Sequence, residues 1–216
     1  MNTKRGSVKT FYNPDSRNSL YGHSREVESY FDELSRAMTW LGKKDKTIFI
    51  GQAVGYPGTA MYNTLKEVPE EKRLELPVAE EMQMGMSLGL SLSGYVPISI
   101  FPRWNFLLCA MSSLINHLDK YPLISDYKPH VIIRTGIGSV VPLDPQFQHK
   151  GDFTEAIKSM CRTVKVQRIE HPHEVVKAYA EAYHMPGVYI MCEVSDFLNE
   201  DFRKDYERFR LTYGGE

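Results

Sequence analysis

A carboxylate, an imidazole and an aromatic pair are the side chains of this sequence whose types and settings could do chemistry. The carboxylate is Glu80, read as opening an apolar, small-residue helix that runs on through Met84, Gly85, Met86 and Gly89. An acid in a first helical turn opposes the macrodipole by about 0.3–1 kcal/mol, which suffices to explain Glu80 structurally; the same group could instead hold or move a proton. The imidazole is His149, at the end of the longest loop in the chain. A loop histidine is ordinarily just solvated, but a loop of about 15 residues between core elements suggests function. Trp104 and Phe106 flank Asn105 directly after an apolar strand. There they could fill the core or stack on a planar heterocycle, and periodicity does not choose between these. His171 and His173 straddle Pro172 at a helix start, where a cap role suffices, and His117 and His184 have no partner visible in sequence.

These residues need elements to position them. A helix is expected from about Ser24 to Leu41, with Ser24 as its cap and Phe31, Leu34 and Met38 on its apolar face. Thr47 to Ile50 reads as a buried strand, Arg73 to Leu76 as a short one, and Pro77 fits the first turn of the helix that carries Glu80. Then follow a strand at 95–101, a helix at 105–118, a strand at 130–134, and a Gly-, Pro- and Ser-rich loop at 136–150. A helix capped by Asp152, a strand at 163–168, a helix at 173–183 and a strand at 188–193 complete the pattern. Such alternation predicts an α/β fold: a three-layer, open, mostly parallel sheet with helices on both faces. Sheets of this kind bind ligands beyond the carboxyl ends of their strands, which singles out the loops at 51–58, 102–106 and 135–149. None of them matches GxGxxG or a phosphate loop. Residues 1–20 are expected as a polar arm, 21–196 as the domain and 197–216 as a charged tail.

Composition narrows the partners. The chain has 216 residues, with 26 basic against 27 acidic side chains and a formal net charge of −1, so no electrostatic signal points to a nucleic acid or an anionic membrane. No run approaches the roughly 18 apolar residues of a membrane span, and no export signal is read. The three cysteines, 109, 161 and 192, are widely spaced with no CxxC pair, as expected of reduced thiols in a cytoplasmic protein.

Several motifs, taken in order, resemble one family. Residues 46–194 are similar to the pyrimidine-binding domain of the transketolase-like thiamine diphosphate enzymes, most closely to the beta subunit of the first component of 2-oxoacid dehydrogenase complexes. The motifs are Ile48–Gly55, Leu76–Glu80, Leu92–Ile98, Trp104–Phe106, Val131–Arg134 and Phe147–His149. The resemblance implies that Glu80 contacts the N1′ nitrogen of the cofactor's aminopyrimidine and activates it. It implies that Phe106 stacks on that ring, with Trp104 and Asn105 beside it in the cofactor site. It puts His149 near the substrate, where it could shuttle a proton or hold a carboxylate. It also implies self-association through the helix of Gly85 and Gly89, against an intramolecular helix–sheet contact as the plainer explanation of that spacing.

The sequence departs from the family too. It has no Gly-Asp-Gly motif, the family's means of gripping diphosphate through a divalent metal, and no second domain follows Asp196. The resemblance therefore implies half of an active site, completed by a partner chain that carries Gly-Asp-Gly and holds Mg2+. Pro102-Arg103 and Lys150-Gly151 also differ from the usual beta-subunit residues, which leaves the substrate open between a 2-oxoacid and a ketose. The alternatives are a split nonoxidative 2-oxoacid decarboxylase and a noncatalytic regulatory or binding subunit.

Overall fold

A computed structural model of the protein describes residues 29–57, 59–138 and 144–198. Its centre is a six-stranded sheet of β1 (Thr47–Gly51), β2 (Arg73–Glu75), β3 (Val96–Phe101), β4 (Val131–Ile137), β5 (Lys165–Ile169) and β6 (Val188–Val194). The order is β2-β1-β3-β4-β6-β5 and every neighbouring pair is parallel. The expected three-layer α/β fold is what the chain adopts.

Strand periodicity sorts the core into two layers. Along β4, Val131 and Ile133 enter one apolar cluster and Ile132 the other; along β6, Val188, Ile190 and Cys192 face the first and Tyr189 and Met191 the second. Helices α1 (Tyr30–Gly42) and α7 (Pro172–His184) cover the second face, with Leu34, Met38, Val175 and Tyr179. The short helix α2 (Ala60–Asn63) adds Met61 to that layer. Helix α3 (Glu80–Leu92), the segment 104–118 and α6 (Thr154–Met160) cover the first, with Met84, Trp104, Leu114 and Ile157. Each fully buried aliphatic side chain contributes about 1.5–3 kcal/mol, so both layers must close for the sheet to persist.

Local chemistry corrects several expected boundaries. Helix α1 begins at Tyr30, where Ser29 Oγ accepts from the Asp32 amide (3.2 Å); the expected cap, Ser24, lies outside the described residues. Pro77 is not in the first turn of α3. It precedes the helix by three residues, and its carbonyl accepts from Gln52 Nε2 (3.4 Å), so the stretch 77–79 serves as the crossing from sheet to helix. The helix expected at 105–118 runs without interruption from Trp104 to Leu118, but its hydrogen bonding changes along the way, from α4 (Trp104–Leu107) through a 3₁₀ turn at Leu108–Ala110 to a π turn at Ser113–Leu118. The π turn begins at Ser113, whose Oγ donates to Glu81 Oε1 (2.7 Å), tying the segment to α3. One more short helix, α5 (Tyr121–Ile124), follows it. Phe197 and Leu198, expected to begin the charged tail, are core residues, and Phe197 meets Tyr30 edge-on at 5.6 Å. The polar arm 1–20 and residues 199–216 lie outside the described residues.

Candidate active site

Because all strands are parallel, the segments that follow β1, β2, β3 and β4 all leave from one edge of the sheet. Glu80, the 102–106 stretch and His149 belong to three of these segments.

Glu80 is the first residue of α3, after the edge strand β2. Its side chain is buried, 8% exposed, yet its carboxylate makes no hydrogen bond or ion pair among the described residues. The neighbouring Glu81 differs, being exposed and bonded to Ser113. One turn on, the fully buried Gln83 donates from Nε2 to Ser99 Oγ and to Ile100 O, both at 3.0 Å, fastening the start of α3 to the end of β3. Gly51 makes that approach possible. It has φ +136°, and a Cβ there would lie 2.2 Å from Ile100 O and 2.8 Å from Gln83 Nε2. Glu75, at the end of β2, shapes the adjoining loop by accepting from the amides of Ala53 (3.0 Å), Val54 (2.8 Å) and Gly55 (2.7 Å).

Phe106 and His149 are brought together from different loops, with ring centroids 5.2 Å apart and planes tilted by 43°. Both are half-buried. Trp104 is placed otherwise: it is fully buried in the cluster of Leu107 and Ile133, so its ring packs in the core and has no open face for a ligand. Asn105, between them, keeps part of its surface. Arg103 crosses the same corner, its Nη1 donating to Gly138 O (3.2 Å) and His149 O (3.1 Å). Burial lowers its pKa from the usual arginine value, opposed by the charge of Asp196.

Unmet hydrogen-bonding capacity collects here. Among the described residues, Gln83 Oε1, Trp104 Nε1, Asn105 Oδ1, Thr135 Oγ1 and His149 Nδ1 are buried without a partner and stand on α3, near the end of β4 or on the segments that follow β3 and β4; Arg36 Nε and Arg73 Nε are unpaired elsewhere in the fold. A buried polar atom left unpaired costs about 1–3 kcal/mol, so such a group is the pattern expected where a bound molecule supplies the partners. Among the described residues, no cluster of three or more His, Cys, Asp and Glu could hold a metal ion. The three cysteines are free thiols; burial raises Cys161 to about 11 and Cys192 to about 12, which removes both as nucleophiles near neutral pH. No described helix is long and apolar enough to cross a membrane.

The sequence alone assigns no site role to Glu75 or Gln83, and it marks Arg103 only as a departure from the family's usual residues. Gln83 carried a usable signal, a polar residue three positions beyond Glu80 and therefore on the same helix face. Glu75 and Arg103 carried none, since their partners lie 20 or more residues away.

Comparison with known proteins agrees with this architecture. The chain is 26% identical over 121 residues to the 2-oxoisovalerate dehydrogenase subunit beta of Bacillus subtilis, a match covering 53% of this chain and 37% of that protein. It is 30% identical over 117 residues to the pyruvate dehydrogenase E1 component subunit beta of Gracilaria tenuistipitata, covering 51% and 36%. The chain thus matches little more than a third of the length of either relative. No protein-family model matches. Among solved structures, a split-gene transketolase in the form of an inactive beta4 tetramer shares the fold, with a TM-score of 0.61 at 16% identity over 78% of this chain and 52% of that one. In sequence and in fold, then, this chain resembles the transketolase-like pyrimidine-binding domain of thiamine diphosphate enzymes.

Proposed function

We propose that this chain is the pyrimidine-binding subunit of a split thiamine diphosphate-dependent enzyme that acts on a 2-oxoacid or a ketose. The observation that carries the proposal is Glu80: a mostly buried residue at the head of α3 whose carboxylate has no partner among the described residues, on the same edge of the sheet as the unpaired polar atoms. The residues present fit the aminopyrimidine half of the cofactor. Glu80 accepts a hydrogen bond from a ring nitrogen and holds its proton, Phe106 stacks on the ring, and Asn105 Oδ1 supplies an acceptor. Thiamine diphosphate itself supplies the carbanion-stabilising centre needed to cleave a bond beside a carbonyl. His149, in contact with Phe106, holds or passes a proton on the substrate side. The sequence lacks Gly-Asp-Gly, so the diphosphate and Mg2+ fall to a partner chain that carries it.

Self-association belongs to the same reading. Among the described residues, a Cβ built on Gly85 or Gly89 meets no atom within 4 Å, which speaks against an intramolecular helix–sheet contact there, and Met82 and Leu92 beside them are 45% exposed. This open helix face supports docking of a second subunit. The solved neighbour in fold is an inactive tetramer of beta subunits, and inactivity of the isolated chain is expected here as well.

The test is to purify the chain at native expression from its own cells, identify what co-purifies by mass spectrometry, and assay the eluate for thiamine diphosphate. A stoichiometric Gly-Asp-Gly partner with bound cofactor supports the split enzyme. The absence of both partner and cofactor would favour the noncatalytic subunit. In the reconstituted complex, Glu80→Gln should lower turnover by about two to four orders of magnitude, and wild-type-like turnover would remove Glu80 from the mechanism.

A further inference from the structure

We infer that Arg103 is a positioning residue that sets the His149 ring, by clamping the backbone on both sides of the stretch 139–143 to the end of β3. A guanidinium Nη1 carries two hydrogens in a fixed fork, so it can serve two carbonyls at once. Here the two are Gly138 O at 3.2 Å and His149 O at 3.1 Å. Gly138 is the last residue described after β4, and His149 is the residue whose ring meets Phe106 at 5.2 Å. Arg103 is itself only three residues from Phe106. One short stretch therefore carries both the aromatic face and the clamp that brings the imidazole to it.

The surroundings leave the clamp little play. At the end of β4, a Cβ on Gly136 would lie 2.2 Å from Ser195 Oγ and 2.8 Å from Pro102 O, so three carboxyl-end segments are pressed together beside Arg103. The charge of Asp196 favours the guanidinium, opposing the cost of its partial burial. Downstream, Asp144 braces the approach to His149: it pairs with Lys150 at 2.7 Å and accepts from the Gln146 amide at 2.8 Å. Gln146 takes φ 60° and ψ −165°, a conformation that side-chain-bearing residues rarely adopt and that persists only where neighbours enforce it. Lysine at position 103 would keep the charge but lose the fork.

The inference rests on the proposed role of His149, and its test is independent of turnover. Amide hydrogen exchange over 144–150 and the ring resonances of His149 are measured in the full chain for the wild type, Arg103→Met and Arg103→Lys. In Arg103→Met, exchange over 144–150 should quicken by about 10- to 100-fold, as expected for losing two hydrogen bonds from a charged donor, and the His149 ring signals should move as the ring leaves Phe106. Arg103→Lys should fall between, and it decides the matter should the methionine variant not fold. Unchanged exchange and ring signals in every folded variant, or quickened exchange spread evenly over the chain, would overturn the inference. His149→Ala in the assembled complex tests the underlying reading separately. If turnover survives that change while Arg103→Met loosens 144–150, the clamp stands and the role of His149 fails; the reverse pair of results fails the clamp alone.

Discussion

Two buried glutamates of this protein meet opposite fates. Glu193, on β6 under α7, is fully buried and fully engaged: Arg134 donates to it from Nε (2.7 Å) and Nη2 (2.8 Å), and the Tyr179 hydroxyl donates as well. Thr64 takes a further bond from Arg134 Nη1 at 3.2 Å, and Tyr30 reaches Ile169 O at 2.8 Å and accepts from the Val194 amide at 3.3 Å. Burial opposes the charge on Arg134, and Glu193 beside it more than compensates, raising its pKa above the usual arginine value. Burial, with Glu193 adding to it, raises the tyrosines Tyr30 and Tyr179 too. Glu80, 8% exposed, has no partner among the described residues. A carboxylate whose valences are all met holds the fold. One left open among other unpaired polar atoms is fitted to hold something else.

The comparison breaks most readily at Arg134. Arg134→Met should strand Glu193 in the core and destabilise the chain by about 3–5 kcal/mol, measured by urea unfolding; a loss under 1 kcal/mol would mean the pair is not the anchor described. Asp119 offers a pH-dependent version of the same anchor. Burial raises its pKa, but the Lys120 ammonium and the amides of Thr163, Val164 and Arg162 outweigh it and hold the carboxyl down at about 2. A folded pKa below the unfolded value of about 3.9 gives stability that is full above that pH and drains as pH falls toward 2, about 2 kcal/mol in all. Asp119→Asn should therefore cost about that much at pH 7, and the gap from wild type should narrow steadily below pH 4.

Phe106→Ala should weaken thiamine diphosphate binding in the assembled complex by about 0.5–1.5 kcal/mol, read by titration calorimetry; unchanged affinity would assign the ring to packing alone. The smallest effect sharpens the contrast most. Glu80→Gln should cost at most about 1 kcal/mol of stability, the macrodipole contribution of a first-turn acid, while turnover falls steeply. A stability loss as large as that of Arg134→Met would place both glutamates in the scaffold.

Much of the fold was legible because its cause is periodic. Val131 to Ile133 and Val188 to Cys192 alternate between two apolar layers, and Leu34 and Met38 recur at helical spacing, so strands and helices could be read directly. The 3₁₀ and π turns within 104–118 were not legible, since their hydrogen-bonding pattern leaves no mark in the apolar spacing, and neither was the tie of Ser113 to Glu81, 32 residues apart. Nor was the burial of Trp104, because an aromatic after a strand has the same sequence signature whether it packs inward or lines a site.

The sequence by itself determined the α/β class, the order of the segments and the residue types that stand at their ends, Glu80, Phe106 and His149 among them. Hydrophobic periodicity and motif order act over a few residues, so they survive in one dimension. Only the tertiary structure decided which of these side chains meet, that Phe106 rather than Trp104 keeps an open ring, and that Glu80, unlike Glu193, has no partner among the described residues. Those outcomes depend on partners tens of residues away, such as Arg134 with Glu193 across 59 positions and Arg103 with His149 across 46. Closing the sheet is what brings them within hydrogen-bond reach.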